Sequence, residues 1–257
     1  MAEFQRNFDN SAADYEKSRP LYVTELYNDI WKYQPLHKDS RVLEIGMGTG
    51  KATEPILATG CQLTGIEPGE NLIQLAREKL EKYQNLSIFS GILQEYHGQP
   101  ESFDLIYAAT AFHWIPEEYG YQRVYELLKK GGTFARFAYH AGPDHRRPEL
   151  TREIQALYRK YMDRGEPPKE FELEDARQLA QVAQRYGFTE IDYKVYHMTK
   201  DFTADEYMEL LRTYPDHMAV EETGRKQLFD GIHSAITKHG GTITVYYTID
   251  LELAGKG

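Results

Sequence analysis

Short apolar runs alternate with amphipathic stretches through the first half of the chain. The pattern predicts buried strands at residues 41–45 and 61–67 with a short helix at 51–59 between them. Helical spacing of apolar residues then covers 71–84. The series continues with strands at 86–90 and 103–109, a helix at 118–129 that ends at Gly131-Gly132, and a strand at 133–139. This repeated strand, helix, strand order predicts an α/β fold, with a parallel sheet and helices on both faces.

The alternation changes after residue 141. Helices are predicted at 151–163, 174–186, 203–213 and 221–239, and strands at 188–199 and 242–253. Thr203 and Glu206 have the spacing of a capping box, which predicts a helix start at that point. Residues 143–174 and 200–239 are therefore interpreted as helical insertions that form a cap on the sheet.

Composition narrows the class of protein. The 257 residues carry a net charge of −10, divided evenly at residue 141, and include one cysteine. One cysteine excludes a disulfide scaffold and a cysteine-based zinc site, and we expect no bound metal. The even negative charge disfavours nucleic acid as a partner. No run of 18 apolar residues occurs and residues 1–10 are largely polar, so we also expect no membrane span and no signal peptide. The single cysteine makes a reducing cytoplasm the expected location.

A glycine-rich turn follows the first strand, at Gly46, Gly48 and Gly50. Such a turn between a strand and a helix brings backbone N–H groups close to a nucleotide-type ligand. Neither reading frame completes the dinucleotide fingerprint, and the P-loop pattern is absent. Glu67 ends the second strand, 21 residues after Gly46, where an acidic side chain binds a ribose diol. The expected ligand therefore carries an unphosphorylated ribose.

These motifs resemble those of class I S-adenosylmethionine-dependent methyltransferases. The resemblance covers roughly residues 8–254 and rests on three segments: Glu44-x-Gly46-x-Gly48-x-Gly50, Gly65-Ile66-Glu67-Pro68 and Phe103-Asp104-Leu105-Ile106. Further segments look like the small-molecule branch that includes trans-aconitate methyltransferase-like proteins: Tyr15-x-x-x-Arg19-Pro20-x-Tyr22, residues 109–114, and residues 202–207 with 212–214.

The resemblance implies a Rossmann-like fold over one domain, residues 1–257. Its mostly parallel sheet would have seven strands, with helices on both faces and a helical cap insertion. The core would comprise residues 36–142, 175–200 and 240–255, and the cap 1–35, 143–174 and 200–239. S-adenosylmethionine would be the cofactor and S-adenosylhomocysteine its product.

The same resemblance implies the cofactor-binding residues. Gly46 and Gly48 would pass under the methionine and adenosyl parts, Glu67 would hold the ribose hydroxyls, and Glu44 would order the loop or meet the amino group. Where many relatives have an acidic residue beside adenine, this chain has Ile92 and Leu93. Tyr15 and Arg19 would form a lid. The full expected set is Tyr15, Arg19, Glu44, Gly46, Met47, Gly48, Glu67, Pro68, Ile92, Leu93 and Ala109.

Methyl transfer from a sulfonium is an in-line displacement, in which alignment contributes most of the acceleration. A general base is needed only for a protonated nucleophile. The candidate bases are His113, just past the fourth strand, and His140, just past the fifth. His113 is the expected catalytic residue, and Trp114, His140 and Tyr214 are the candidate substrate-binding residues. With an ionised carboxylate as acceptor, His113 would orient the substrate instead of deprotonating it.

Three functions remain open at this level. The first is methyl transfer to a small-molecule acceptor, with a carboxylate or another O or N nucleophile. The second is a non-catalytic sensor or partner protein that binds S-adenosylmethionine or S-adenosylhomocysteine. The third, a nicotinamide-dependent oxidoreductase, is disfavoured because the third fingerprint glycine is missing. The acceptor atom and the oligomeric state stay open, because one fold supports many chemistries.

Overall fold

A single sheet organises the computed structural model, which describes residues 12–162 and 169–257. Its seven strands are β1 (Arg41–Ile45), β2 (Gln62–Glu67), β3 (Leu86–Ser90), β4 (Phe103–Ala109), β5 (Leu128–Gly142), β6 (Thr189–Thr203) and β7 (Thr242–Gly255). The strand order is β3-β2-β1-β4-β5-β7-β6. Strands β1 to β5 pair in parallel, and β7 runs antiparallel to both β5 and β6. The predicted seven-stranded, mostly parallel sheet is confirmed.

Helices cover both faces of the sheet, as predicted. Those preceding β5 are α1 (Ala12–Ser18), α2 (Thr24–Tyr33), α3 (Thr53–Leu57), α4 (Glu70–Lys79) and α5 (Glu117–Leu127). Helices α2, α3 and α4 bury residues such as Leu26, Ile56 and Ala76 against one face. Helix α5 buries Val124 and Leu127 against the other. Each helix therefore covers its own face of the same apolar sheet.

The second half of the chain adds a further layer of helices over one end of the sheet. They are α6 (Pro148–Met162), α7 (Leu173–Val182), α8 (Ala204–Arg212), α9 (Pro215–Met218) and α10 (Glu222–Lys238). Residues of α6, α8 and α10, among them Ile154, Leu211 and Ile232, form a third core cluster with Val245 and Tyr247 of β7. We use "cap" for α6, α8, α9 and α10. The division of the chain into core and cap segments stays a prediction, and residues 163–168 of the predicted cap lie outside the described residues.

Strands β5, β6 and β7 extend past the ends that their sequence pattern predicts. The register runs from Thr189↔Gly255 to Thr203↔Thr242 between β6 and β7, and from Thr133↔Gly255 to Gly142↔Tyr246 between β5 and β7. Long antiparallel pairing satisfies the backbone of segments that are too polar to predict a strand by themselves. The end of β6 and the start of β7, which pair with each other, pack against the helices of the cap.

Several helix boundaries also differ from the prediction. The helix predicted to continue to residue 129 ends at Leu127, because Leu128 already pairs with Phe103 of β4. The helix predicted over 71–84 is α4, which ends at Lys79, and that predicted over 174–186 is α7 followed by a 3₁₀ turn, Ala183–Tyr186. The predicted capping box is confirmed. Glu206 N donates to Thr203 Oγ1 over 3.3 Å, and Thr203 N donates to Glu206 Oε2 over 2.8 Å.

Candidate cofactor and acceptor sites

A cleft lies at the carboxyl ends of β1, β2 and β4, where the glycine turn leaves β1. Its volume is about 190 Å³. It is bordered by nine of the predicted site residues: Tyr15, Gly46, Gly48, Glu67, Pro68, Ile92, Leu93, Ala109 and Trp114. A smaller pocket of about 20 Å³ shares some of these residues, among them Ala109, and adds three more predicted ones: Arg19, Glu44 and Met47. Segments distant in sequence therefore converge at one edge of the sheet.

Gly46 and Gly48 take backbone conformations that favour glycine. Their φ angles are +72° and +57°. A Cβ on Gly46 would collide with the Cβ of Ala111 in the turn after β4. The N–H groups of Gly46 and Met47 both donate to the carbonyl of Ile66, over 2.9 and 3.0 Å, which fixes the turn on β2. Met47 itself is buried, at 3% exposure.

Glu67 holds the turn from the other side. Gly48 N donates to its Oε2 over 2.8 Å, and Gly69 N donates to its Oε1 over 2.9 Å. The residue is 6% exposed and borders the cleft. A carboxylate oxygen has two lone-pair directions, so accepting a backbone N–H leaves capacity for a ligand hydroxyl. The side chain is thus a structural clamp as well as a candidate ribose ligand.

Glu44 is fully buried beside the smaller pocket. Its Oε2 accepts hydrogen bonds from the hydroxyls of Thr53, at 2.6 Å, and Tyr107, at 2.7 Å. Its Oε1 has no hydrogen-bond partner. Burial raises the pKa of Glu44 to about 7, although both hydroxyls favour the ionised form. A buried acceptor without a partner fits a ligand that brings a donor, such as the amino group of S-adenosylmethionine.

Helix α1 and its following turn connect the cleft to the cap. Arg19 Nε donates to Thr213 Oγ1 over 3.0 Å and Nη2 donates to the Thr213 carbonyl over 3.2 Å. On the opposite side, Glu16 forms ion pairs with Lys79 of α4, at 3.0 Å, and with Lys51, at 3.4 Å. Helix α1 therefore bridges α4 and the cap across the cleft, where the predicted lid should lie.

Two residues that the sequence did not single out also contribute to the site. Thr110 follows β4, borders both cavities and has a φ of +53°, a rare and costly conformation for a non-glycine residue. Its Oγ1 lies 2.7 Å from the hydroxyl of Tyr22. Lys51 borders the smaller pocket, and burial lowers its pKa. The position of Lys51 directly after the glycine turn could have predicted that it lies at the site. No local sequence feature predicts the positive φ of Thr110.

The predicted substrate residues separate into two groups. Trp114 borders the cleft, while His140 and Tyr214 border a third cavity of about 400 Å³ between the cap and the ends of β5 and β7. His113 is exposed, is not among the residues that line the cleft, and lies with its ring centroid 4.9 Å from that of Trp114. Partial burial and the Arg136 charge lower the pKa of His113. No group of three or more metal-binding side chains occurs among the described residues.

Comparisons with known proteins agree with this geometry. Residues 42–132 match the model of a methyltransferase domain family. An uncharacterized methyltransferase of Schizosaccharomyces pombe is 28% identical over 84% of this chain and 82% of its own length. A Saccharomyces cerevisiae protein named a probable S-adenosylmethionine-dependent methyltransferase is 31% identical over 52% of this chain, and the match spans under half, 46%, of its length.

Solved structures share the fold at low sequence identity. A protein described as a type II methyltransferase from Anaeromyxobacter dehalogenans superimposes with a TM-score of 0.64 and 18% identity over 92% of this chain and 97% of its own. Phosphoethanolamine N-methyltransferase 2 of Haemonchus contortus, in complex with S-adenosylhomocysteine, gives a TM-score of 0.55 and 18% identity over 96% of this chain and 57% of its own.

The fold, the cleft and these matches define a class of protein. The chain has the fold of class I methyltransferases, and its matches are those of an S-adenosylmethionine-dependent methyltransferase that uses S-adenosylmethionine as its cofactor.

Proposed function

We propose that this methyltransferase acts on a small-molecule acceptor with an O or N nucleophile. The observation that carries the proposal is the cavity of about 400 Å³ between the cap and the sheet, which has the cap on one side and the ends of β5 and β7 on the other. Tyr214 borders this cavity, and Arg19 of the smaller pocket lies over its ring. A residue of the smaller pocket and a residue of the cavity are thus in direct contact, so the proposed acceptor would lie next to the cofactor pocket.

The charge of the protein supports the same conclusion. A net charge of −10 opposes the approach of a polyanion, so nucleic acid is the least suitable acceptor. Among the described residues, no helix has both the length and the apolar character that crossing a membrane requires. We propose a cytoplasmic location on the composition alone. Resemblance to the trans-aconitate methyltransferase-like branch makes a carboxylate one acceptor to test.

The residues around the cleft are candidates for binding different parts of the cofactor. We propose that Gly46, Gly48, Glu67, Ile92 and Leu93 hold the adenosyl part of the cofactor, with Pro68 and Ala109 as flanking contacts and Met47 as buried support. Glu44, Arg19 and Tyr15 would enclose the methionine part. S-adenosylmethionine supplies an electrophilic methyl group, and the protein aligns an acceptor with it, a contribution of about 7–11 kcal/mol when both partners are well held.

Calorimetry and an acceptor screen test the proposal. We expect S-adenosylhomocysteine to bind and NAD not to bind, and we expect label from the cofactor's methyl group to appear in at least one member of a panel of carboxylates, phenols and amines. Binding of S-adenosylhomocysteine without transfer to any acceptor would contradict the proposed acceptor class and favour the non-catalytic sensor. Binding of NAD alone would contradict the cofactor assignment.

A further inference from the structure

The cavity between the cap and the sheet has walls of aromatic side chains. Tyr158 of α6, Tyr207 of α8, Tyr214 before α9 and Tyr246 of β7 all border it, together with Phe171. Leu210, Leu211 and Ile243 add aliphatic surface. Aromatic and aliphatic walls of this kind suit a flat, largely apolar molecule, with polar groups fixing its orientation.

His140, near the end of β5, is a polar group of this cavity that two neighbours hold in place. Its Nε2 lies 2.9 Å from Oδ1 of Asp250 on β7, and its ring stacks on that of Phe171 with centroids 3.7 Å apart and an interplanar angle of 10°. Asp250 is 1% exposed and also accepts a hydrogen bond from Ala138 N over 2.9 Å. The imidazole therefore has one orientation, set from the sheet below and the aromatic ring above.

The ionisation state of Asp250 determines which ring nitrogen of neutral His140 carries the proton. Burial alone would raise the pKa of Asp250, but hydrogen bonds to His140 and Glu252 and the charge of Arg136 lower it below its ordinary value. An ionised carboxylate only accepts hydrogen bonds, so neutral His140 must donate from Nε2. Its Nδ1 is then the basic nitrogen. No hydrogen bond to Nδ1 is found among the described residues, and 32% of the side chain is exposed.

Asp250 has a second buried carboxyl group beside it. Burial and the charge of Asp250 raise the pKa of Glu252 well above its ordinary value, although Arg136 Nε donates to Glu252 over 2.5 Å. The pKa of Asp250 is lowered while that of Glu252 is raised, so Asp250 is the carboxyl group of the two that favours the ionised form. Its carboxylate lies directly behind the imidazole.

The other ionisable groups around His140 have partners of their own. Arg136 is paired with Glu252, Asp144 with Arg147, His145 with Glu170, His217 with Asp216, and Lys169 with Asp175. His113 comes from the turn after β4, next to Trp114, which borders the cleft. Asp250 is thus the charged group that holds the His140 ring.

We propose that His140, oriented by Asp250, is the proton acceptor for a substrate bound in the cap cavity, and that this substrate is a flat molecule with a protonated hydroxyl, of the phenol type. The proposal rests on the proposed methyl transfer. The hydroxyl proton moves to Nδ1 of His140 while the substrate oxygen bonds to the methyl carbon. The carbon–sulfur bond breaks with its electron pair kept on sulfur, so the positive charge lost from sulfur is matched by that of the imidazolium, which Asp250 stabilises.

A carboxylate substrate fits these walls less well. It would arrive ionised and would require a cation, yet the lysine that borders the cavity, Lys169, is ion-paired with Asp175 and Glu172 at 3.6 and 3.7 Å. A hydroxyl group requires a base, which is what Nδ1 of His140 supplies. A carboxylate acceptor therefore needs an unpaired cation in the cavity, whereas a hydroxyl acceptor needs a base.

NMR of the imidazole nitrogens tests the orientation without any turnover. In long-range ¹H–¹⁵N spectra of the full chain, with His140→Gln for assignment, we expect neutral His140 to carry its proton on Nε2. In Asp250→Asn this preference should weaken, because an amide can donate a hydrogen bond to Nε2 as well as accept one from it. The matched control is Asp205→Asn, which alters the exposed His233–Asp205 pair (3.1 Å) outside the cavity and should leave the His140 signals unchanged.

Kinetics with two ring probes test the substrate class. 4-Methylphenol and benzoate are flat rings of similar size, one protonated and one ionised at neutral pH. We expect methylation of 4-methylphenol, with kcat falling about 100-fold or more in His140→Gln, the lower range for a general base. In Asp250→Asn we expect a smaller fall in kcat, a shifted pH profile and little change in KM.

The outcomes separate this inference from the broader proposal. A proton on Nδ1 of neutral His140, or unchanged imidazole spectra in Asp250→Asn, would overturn the orientation, whether or not transfer is detected. Methylation of benzoate with no transfer to 4-methylphenol would overturn the hydroxyl substrate while leaving small-molecule methylation intact. Equal kcat and equal pH profiles for the wild-type protein and His140→Gln would overturn the role of His140 as base.

Discussion

The guanidinium group of Arg19 lies over the ring of Tyr214, with its carbon 4.1 Å from the ring centroid. Arg19 follows helix α1 on one side of the cofactor pocket, and Tyr214 precedes α9 in the cap. The same guanidinium donates two hydrogen bonds to Thr213. Arg19 therefore fastens the end of helix α1 to the cap.

Replacing Arg19 should remove its contacts with Thr213 and Tyr214 and so loosen the attachment of helix α1 to the cap. Hydrogen bonds from charged donors contribute about 1.5–3 kcal/mol, so we expect Arg19→Ala to weaken S-adenosylhomocysteine binding about 10-fold, measured by calorimetry. Lys17→Ala is the matched control, since it breaks the more exposed Lys17–Glu209 pair between the same two elements and should change affinity little. Equal effects of both variants would show that Arg19 has no special part in the lid.

Glu67 should affect both the cofactor and the glycine turn. We expect Glu67→Ala to weaken S-adenosylhomocysteine binding while the fold is kept, as checked by circular dichroism. Glu67→Gln has one acceptor oxygen for the N–H groups of Gly48 and Gly69, so it should also lose about 1–3 kcal/mol of unfolding free energy in urea. Unchanged affinity in both variants would remove Glu67 from the site.

Glu44 should make cofactor binding depend on pH. Its pKa is about 7 in the free protein, and a ligand ammonium at Oε1 would favour the ionised form. S-adenosylhomocysteine affinity should therefore rise as pH increases toward 7, by at most about 10-fold per pH unit, with release of one proton, and level off above it. Calorimetry in buffers of different ionisation enthalpy measures that proton. A flat profile for the wild-type protein would contradict contact with Oε1, and Glu44→Gln should be flat.

The same pKa predicts the sign of a stability change. Between pH 4.5, the ordinary pKa of a glutamate, and about 7, folded Glu44 keeps a proton that the unfolded chain has lost. The contribution of Glu44 to the unfolding free energy should therefore fall as pH rises through this window. Urea denaturation of the wild-type protein and Glu44→Gln at pH 5 and pH 8 isolates this contribution. The difference in unfolding free energy should shift in favour of the variant at pH 8.

His113 should influence turnover more than cofactor affinity. Its side chain is exposed and lies beside Trp114, outside the set of residues that borders the cleft. We expect His113→Ala to leave S-adenosylhomocysteine affinity nearly unchanged and to lower kcat for the acceptor that the screen identifies. An unaltered rate would return His113 to a packing role against Trp114.

The capping box of α8 offers a test of stability remote from both cavities. Thr203→Ala removes the side-chain acceptor of Glu206 N and should lower the unfolding free energy by about 1 kcal/mol. Thr203→Ser retains the hydroxyl and should preserve most of that stability. Urea denaturation with an unchanged m-value checks both variants. A loss in Thr203→Ser as large as in Thr203→Ala would mean that the methyl group, not the cap, matters.

Local sequence determined much of this protein. The turn at Gly46 and Gly48 follows directly from a buried strand and from φ values that glycine tolerates, and the start of α8 follows from Thr203 and Glu206. The alternation of strands and helices predicted a parallel sheet with helices on both faces, whereas the order of its strands comes from the structure. These features depend on neighbours within a few residues, which is why a single sequence contains them.

Tertiary structure decided the rest. Asp250 reads as one polar position in a strand, and its contact with His140, 110 residues earlier, exists only because β7 pairs with β5 in a particular register. The same holds for Arg19 and Thr213, and for the unpartnered oxygen of Glu44. A one-residue shift of β7 would turn Asp250 to the opposite face of the sheet. The sequence by itself therefore determined the strand, turn and helix that border the cleft, whereas long-range pairing decided which charged groups meet around it.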